Sequence, residues 1–342
     1  MKAVGYRKPL PISDRESLLD LDLPKPRPAG RDLLVAVKAV SVNPVDVKVR
    51  AAVAPPDGEA KILGWDAAGV VEAVGPEATL FKPGDEVFYA GSIDRPGTDA
   101  EFHLVDERIV GPKPRSLGFA EAAALPLTSI TAWEMLFDRF GIRQGAADAE
   151  KGRSLLIVGG AGGVGSMAVQ LARQLTGLTV IATASRPETT EWVKELGAHH
   201  AVDHAKPLPE QVRSLGLDGG VDYVFATTTA GGSHFPAIAE IVAPQGKVGL
   251  IDDPPESPDI RLVKRKSVSV HWEFMFTRPV FRTADMIRQH ELLAEVARLV
   301  DGGVLRTTHA ETLGRIDAAT LRRAHAAIET GRTRGKLVLE GF

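Results

Sequence analysis

The hydrophobic positions in the second half of the chain recur as short apolar strands separated by longer segments with helical spacing. This alternation between residues 154 and 271 is typical of a parallel, doubly wound α/β sheet with helices on its faces. The predicted strands of this sheet are 155–158, 179–183, 200–202, 221–225, 247–251 and 267–271. The pattern therefore predicts a sheet domain that begins in mid-chain.

The first third of the chain is β-rich instead, with Gly, Pro and Asp between its apolar runs. Its predicted strands are 33–42, 69–74 and 85–90. Helical spacing predicts helices over 120–124, 131–137, 283–300 and 318–331, and a last strand over 335–340. We expect the residues after the parallel sheet to return to the first domain.

A glycine-rich turn stands between the first strand of the parallel sheet and a helical segment. It contains Gly160, Gly162 and Gly165 in the pattern GxGxxG, with Gly163 and Val164 inside it. In a strand–turn–helix context this pattern is the fingerprint of a Rossmann dinucleotide site, because the helix N-terminus attracts the pyrophosphate. A purely structural turn is the alternative.

The end of the second strand indicates which nucleotide the fingerprint accepts. An NAD site places Asp or Glu there to hold the ribose 2′-hydroxyl, whereas this chain has Ala184, Ser185 and Arg186. A hydroxyl and a guanidinium suit a 2′-phosphate. The sequence therefore predicts NADP(H) rather than NAD(H). If Arg186 is only a solvated residue before Pro187, the missing acid still argues against NAD.

The composition excludes several classes of function. The chain has 342 residues, a net charge of −3, 44% hydrophobic residues and no cysteine. The slightly negative net charge gives no indication of binding to nucleic acid or to an anionic membrane. The absence of cysteine excludes disulfides and thiolate metal ligands. No apolar run is long enough for a membrane span, and the start does not resemble a signal peptide. We therefore expect a cytoplasmic protein.

Several short motifs, weak singly, are specific in this order and spacing. They are residues 43–46 (NPVD), 64–71 (GWDAAGVV), 82–87 (KPGDEV), 122–127 (AAALPL), 131–133 (TAW), the glycine turn and 331–339 (GRTRGKLVL). Over essentially its whole length the chain resembles the medium-chain dehydrogenase/reductases, in particular the zinc-independent quinone oxidoreductase branch. Residues 271–277 and 339–342 also resemble a bacterial subfamily often labelled zinc-type alcohol dehydrogenase.

This resemblance implies an architecture: a Rossmann doubly wound parallel sheet plus a β-rich GroES-like domain. The implied limits are 1–126 for the GroES-like substrate domain, 127–274 for the NADP-binding Rossmann domain and 275–342 for the return to the first domain. It also implies a homodimer, which the strand at 267–271 would form by pairing edge to edge with its mate.

The subfamily label conflicts with the residues at the zinc-ligand positions. The zinc alcohol dehydrogenases of this superfamily use two Cys and one His, where this chain has Asn43, Leu127 and Trp65. Catalytic zinc needs about three N, S or O protein ligands. The four-Cys structural zinc loop is missing as well. We therefore expect no zinc.

The resemblance implies catalytic roles for three residues of the first domain. Asn43 would lie beside the nicotinamide and donate from its amide to the substrate carbonyl. Lys48 would be a second donor and Trp65 would wall the pocket. The alternatives are a turn residue, an exposed lysine and an ordinary core residue. Asp46 and Asp66 would either support this site or cap backbone N–H groups.

Further residues are implied as cofactor contacts. Thr131 would contact the nicotinamide, unless Thr131 or Ser129 is a helix N-cap, and one of the threonines 227–229 would face the nicotinamide ribose. The remaining candidates are predicted to contact different parts of the nucleotide. These are Leu250, Ile251, Trp272 and Phe274 near the nicotinamide, Arg334 and Lys336 at the phosphates, and His204 near the adenine ribose.

The resulting hypothesis is an NADPH-dependent oxidoreductase that transfers hydride to a quinone or an enone without zinc. The partner is a small-molecule acceptor, and no residue is assigned as proton donor. One alternative is an NADPH-binding sensor or structural protein with little turnover. A zinc-dependent alcohol dehydrogenase is the other alternative.

Overall fold

The computed structural model describes residues 1–145, 150–228, 230–253 and 257–342, without the side chains of 230–233. The chain divides into two compact units, Met1–Ile130 with Phe276–Phe342 and Thr131–Met275. The boundaries predicted from the sequence follow residues 126 and 274. Of the predicted nicotinamide-ribose residues, Thr229 lies outside the described residues. Within the described part of the chain, no helix has both the length and the apolar character needed to cross a membrane.

Strands and helices follow one another along the whole chain. The strands are β1 (Lys2–Tyr6), β2 (Leu19–Asp22), β3 (Asp32–Ser41), β4 (Lys61–Ile62), β5 (Ala67–Val74), β6 (Glu86–Tyr89), β7 (Phe102–Asp106), β8 (Val110–Pro112), β9 (Ser154–Val158), β10 (Thr179–Thr183), β11 (His200–Val202), β12 (Val221–Ala226), β13 (Val242–Leu250), β14 (Ser269–Trp272), β15 (His309–Thr312) and β16 (Lys336–Glu340). The α-helices are α1 (Pro44–Ala52), α2 (Phe119–Ala123), α3 (Pro126–Trp133), α4 (Gly163–Leu175), α5 (Pro187–Glu195), α6 (Leu208–Ser214), α7 (Ala230–Ile241), α8 (Thr277–Phe281), α9 (Arg288–Asp301) and α10 (Ala318–Glu329). A π-helical turn at Glu134–Arg139 and short 3-10 helices at Arg15–Ser17, Glu107–Ile109 and Ile260–Lys266 complete the described elements.

The unit Thr131–Met275 contains the predicted parallel sheet. Its six strands lie in the order β11-β10-β9-β12-β13-β14, and every pair is parallel. This order, with the first strand in the middle, is that of a dinucleotide-binding doubly wound sheet. The central strand β9 is buried along its whole length, as its unbroken apolar sequence predicts. The predicted Rossmann domain is therefore confirmed, and β14, the strand predicted to pair with a second copy, is at the sheet edge.

The other unit is built on a mainly antiparallel sheet. Strands β15, β16, β3, β5, β6 and β8 lie in that order, and β7 also pairs with β3. A second, three-stranded sheet has the order β2-β1-β4. Because β16 comes from the end of the chain and pairs with β3, the last residues complete the first unit, as predicted. The β-rich GroES-like unit is confirmed.

The predicted element limits fail where the backbone adopts a left-handed conformation. The helix predicted over 283–300 is α9, which begins only at Arg288, because a turn follows Arg282, whose φ of +46° ends α8. The Arg278 guanidinium bonds the Asp285 carboxylate at 3.0 Å and holds this connection. The strand predicted from residue 267 begins at Ser269, because Ser267 has φ +52°.

Candidate functional site

The turn between β9 and α4 has the geometry of a phosphate-binding loop. Gly159, which the sequence analysis gave no role, is the left-handed residue of the turn with φ +83°. A Cβ on Gly159 would lie 2.7 Å from the Thr227 hydroxyl oxygen and would also overlap the Thr228 methyl group. A Cβ on Gly160 would lie 2.7 Å from the Ala182 side chain. The two glycines after the apolar strand are therefore both required by packing.

The later glycines of the motif determine how α4 starts. Gly162 is the N-cap residue, and because it has no side chain, no side-chain cap accepts the first-turn N–H groups of α4. Gly163 and Val164 are half-buried in that first turn. A Cβ on Gly165 would overlap the Gly159 carbonyl oxygen, so this glycine lets the helix pack against the turn. A helix N-terminus without a side-chain cap, a geometry that suits an anion, is thus built from contiguous residues.

Two other predicted contacts lie beside this turn. The Thr227 hydroxyl donates to the Val158 carbonyl oxygen at 2.9 Å, so it braces the turn at the end of β12. The Nδ1 atom of His204 lies 3.1 Å from the Thr183 hydroxyl oxygen at the end of β10. The structure therefore brings both residues to the nucleotide-binding edge of the sheet, and their direct contacts with a cofactor stay predictions.

The end of β10 has the predicted side chains. Ser185 is exposed and Arg186 is half-buried. Both line a surface cavity of ≈ 730 Å³, to which Lys194 of α5 contributes a second cation. The Arg186 guanidinium is 3.1 Å from the Glu188 carboxylate. The lining also contains the carboxylate residues Glu191, Glu195 and Asp203. A 2′-phosphate beside Arg186 would have a hydroxyl and two cations in the same cavity, and would compete with Glu188 for Arg186.

The remaining cofactor candidates fall into buried and exposed sets. Thr131 is buried inside α3, and Ser129 lies in the same helix, so the alternative role of either residue as an N-cap is wrong. Leu250 is the buried last residue of β13, and Ile251 follows it half-buried. Trp272 and Phe274, after β14, are each 49% exposed, and Arg334 is exposed before β16. Their contacts with a cofactor stay predictions.

Lys336 forms a buried polar cluster with two residues from the start of the chain. Its ammonium group donates to the Val42 carbonyl oxygen at 3.0 Å, to the Asp66 carboxylate at 2.9 Å and to the Asn43 amide oxygen. The Lys336 and Asp66 side chains are 3% and 0% exposed. Three acceptors satisfy the three ammonium protons. This arrangement gives Lys336 a structural role, and its predicted contact with a cofactor phosphate stays a prediction.

The amide of Asn43 has its orientation fixed by this cluster. Because Lys336 donates to the amide oxygen, the amide nitrogen points the other way, towards the Asp66 carboxylate at 2.9 Å and the Trp65 carbonyl oxygen at 3.3 Å. Asn43 is also the N-cap of α1 and is 1% exposed. Both amide hydrogens already have acceptors, whereas the predicted catalytic role needs one directed at a substrate carbonyl. That role stays a prediction.

Two buried carboxylates tie the cluster to the surrounding backbone. Asp66 also accepts the Leu127 N–H at 2.8 Å, and Asp46 accepts the N–H groups of Asn43 and, at 3.1 Å, of Gly64. Burial raises the pKa of Asp46 to about 7. Burial also raises the pKa of Asp66, which the Lys336 charge opposes. Each carboxylate therefore caps backbone N–H groups at an electrostatic cost.

The other two predicted catalytic residues differ in burial. Trp65 is 0% exposed; its indole N–H donates to the Ser92 carbonyl oxygen at 3.2 Å, and its ring packs edge-on against Phe276 at 6.0 Å. This is the environment of a core residue. Lys48 lies on α1 and is exposed. Sequence reasoning missed the Asp66–Lys336 pair, because no spacing or motif connects two residues so far apart in the chain.

The donor set at the zinc-ligand positions does not fit zinc. Leu127 has no donor atom, the Trp65 indole N–H is already used, and the Asn43 amide oxygen accepts from a lysine ammonium. A metal cation at the Asn43 amide oxygen would have to displace or lie beside the Lys336 ammonium group, whose charge repels it. In the described ranges, no group of three or more His, Cys, Asp or Glu side chains is arranged to hold a metal ion.

Comparison with known proteins identifies the family. Residues 29–131 match the alcohol dehydrogenase GroES-like domain, and residues 196–339 match the zinc-binding dehydrogenase family. A zinc-type alcohol dehydrogenase-like protein of Staphylococcus aureus (strain COL) is 42% identical over 99% of both chains. The chain belongs to the medium-chain dehydrogenase/reductase superfamily. It is an oxidoreductase by family, and the substrate is not set by this membership.

Solved structures of the superfamily cover the whole chain. A protein of Rhizobium etli CFN 42 named as a zinc-dependent alcohol dehydrogenase is 63% identical, with a TM-score of 0.95 over 100% of this chain and 98% of its own. A quinone oxidoreductase of Pseudomonas syringae pv. Tomato DC3000 is 27% identical, with a TM-score of 0.83 over 99% of both chains. A mycobacterial protein in complex with NADPH is 26% identical, with a TM-score of 0.82 over 99% of this chain and 100% of its own.

A plant relative of the superfamily shares part of the chain. The 2-methylene-furan-3-one reductase of Solanum lycopersicum is 40% identical over 182 residues, which are 51% of this chain and 45% of its own.

Proposed function

We propose that the protein is an NADPH-dependent oxidoreductase that transfers hydride to a quinone or an α,β-unsaturated carbonyl compound without zinc. The observation that carries the proposal is the nucleotide edge of the parallel sheet. There the glycine turn opens α4, and the end of β10 offers Ser185 and Arg186 where an NAD site needs a carboxylate. The acceptor would be a small molecule.

Three of the compared proteins support this proposal by what they bind or reduce. The mycobacterial structure contains NADPH, the Pseudomonas syringae protein is a quinone oxidoreductase, and the tomato protein reduces a 2-methylene-furan-3-one. The residues at the zinc-ligand positions favour the zinc-free members of the superfamily. Stoichiometric zinc in the purified protein, lost together with activity on chelation, would contradict that part of the proposal.

In this reaction the protein binds and orients the cofactor and the acceptor, and it forms no covalent bond with either. When bound, NADPH supplies the hydride, and solvent supplies the proton that completes the reduction. The first-turn N–H groups of α4 would hold the pyrophosphate, and Ser185 and Arg186 would hold the 2′-phosphate. The apolar residues Leu250 and Ile251 follow the strand direction to the same edge of the sheet.

The first experiment is a fluorescence titration of the purified protein with NADPH and with NADH. We expect a strong preference for NADPH, and the Arg186→Ala variant should bind NADPH roughly tenfold more weakly because a charge-assisted hydrogen bond is lost. Arg213→Ala is the matched control, since Arg213 pairs with Glu240 on the surface of the same unit. Equal binding of both nucleotides, unaffected by Arg186, would contradict the cofactor assignment. A panel with 1,4-benzoquinone and a linear enone then tests turnover.

A second candidate function is an NADPH-binding sensor with little turnover. The arrangement of Asn43 favours it, because both amide hydrogens have acceptors inside the protein and the amide oxygen accepts from Lys336. A sensor would bind NADPH tightly and reduce none of the acceptors in the panel. Turnover of any quinone or enone at a rate well above the uncatalysed reaction would exclude it.

A further inference from the structure

Thr183, the last residue of β10, joins three segments at the nucleotide edge of the parallel sheet. Its hydroxyl oxygen accepts the Gly159 N–H at 2.9 Å, and its carbonyl oxygen accepts the Gly160 N–H at 3.1 Å. The same hydroxyl lies 3.1 Å from Nδ1 of His204, which follows β11. The side chain is 1% exposed, so its hydroxyl cannot exchange these partners for bulk water.

We propose that Thr183 is a positioning residue for the cofactor pyrophosphate and acts through the glycine turn. The hydroxyl fixes the Gly159 peptide in its left-handed conformation, and the following peptides then direct the first-turn N–H groups of α4 outwards. This inference rests on the proposed binding of NADPH. It assigns His204 an indirect role, because the imidazole holds the Thr183 side chain rather than the adenine ribose.

The physical basis is the small number of groups that restrain the turn. Gly159 has no side chain, so only hydrogen bonds and packing select its φ of +83°. On the other side, the Thr227 hydroxyl donates to the carbonyl oxygen of Val158 at 2.9 Å and lies 3.3 Å from that of Gly159, so only Thr183 accepts the Gly159 N–H among these two threonines. The N–H that Thr183 accepts would be left without that partner if the hydroxyl were removed, and a part-buried donor without a partner is costly.

Binding of two probes to matched variants tests the proposal. NADPH contains the pyrophosphate, whereas adenosine 2′-monophosphate contains only the end of the nucleotide that Arg186 would hold. Thr183→Val keeps the shape and removes the hydroxyl, Thr183→Ser keeps the hydroxyl, and Thr179→Val makes the same change at the other end of β10. We expect Thr183→Val to bind NADPH roughly tenfold more weakly. The affinity of Thr183→Val for adenosine 2′-monophosphate should lie within about twofold of the parent value, because this probe has no pyrophosphate and does not use the turn.

The outcomes separate this inference from the proposed function. NADPH affinity close to the parent value in Thr183→Ser and Thr179→Val would support the role of the hydroxyl. The inference is overturned if Thr183→Val binds NADPH as the parent does, or if it loses both probes equally. A parent protein that binds neither NADPH nor adenosine 2′-monophosphate would overturn the proposed function itself.

Discussion

The glycine turn and the Lys336 cluster both contain polar groups that need hydrogen-bond partners, and the two regions differ in where those partners come from. In the turn, backbone N–H groups at the start of α4 have no side-chain cap, and we propose that the cofactor accepts them. In the cluster, the polar atoms of Lys336, Asn43 and Asp66 are paired with one another and with backbone groups. Under the proposed function, one region therefore binds a ligand, whereas the other holds strands and a helix cap together.

The two regions also differ in how the chain builds them. The turn comes from contiguous residues and depends on the absence of side chains at Gly159 and Gly165. The cluster brings Asp66 next to a lysine at the start of the last strand and depends on balanced charge in a buried place. Substitutions in the turn should act mainly on nucleotide binding, and substitutions in the cluster mainly on stability.

The largest effect should come from breaking the buried charge pair. Lys336→Met leaves the Asp66 carboxylate buried without its cation, which should lower the free energy of unfolding by about 3–5 kcal/mol. The free energy of unfolding is measured by urea unfolding, with circular dichroism as the signal. Lys38→Met is the matched control, because Lys38 is an exposed lysine on β3.

A double variant shows whether charge balance is the reason. Adding Asp66→Asn to Lys336→Met removes the unpaired buried carboxylate and should recover part of the lost free energy of unfolding. If the single variant unfolds at the parent urea concentration, the cluster is not the stabilising element that its burial indicates.

The next effect should come from giving the glycine turn a side chain. Gly159→Ala places a methyl group against Thr227 and Thr228 at a φ of +83°, and it should lower the free energy of unfolding by about 2–3 kcal/mol and abolish NADPH binding. Gly152→Ala is the matched control, because Gly152 has φ +84° and no atom within 4 Å of its added Cβ. It should lose only about 1 kcal/mol and bind NADPH normally. Equal behaviour of the two variants would show that packing at the turn is unimportant.

The contrast explains how much the sequence could predict. The parallel sheet, the GroES-like unit and the glycine turn were predictable, because apolar periodicity and glycine spacing are local properties of the chain. The arrangement around Asn43 was not, since its amide orientation depends on Lys336, which reaches it only when β16 pairs with β3. The start of α9 at Arg288 rather than at residue 283 was also hidden, because the helical spacing of the sequence extends back into the preceding turn.

The smallest expected effect, taken per pH unit, is the pH dependence that Asp46 gives to the cluster. Its pKa is about 7 in the folded chain against an ordinary value of 3.8, so between these pH values the folded state holds a proton that the unfolded state releases. The stability that this proton contributes is full below pH 3.8 and declines as the pH rises to about 7, by at most about 1.4 kcal/mol per pH unit.

Asp46→Asn removes this titration and should flatten the decline in the free energy of unfolding between pH 4 and 7. The measurement is urea unfolding of both proteins across that range. Asp66 and Asp99, whose pKa values burial also raises, remain in the variant, so the difference between the two curves reports Asp46 together with its coupling to Asp66, Asp99 and Lys336. Parallel curves would mean that Asp46 is ionised throughout, because its two backbone N–H donors then stabilise the carboxylate more than burial opposes it.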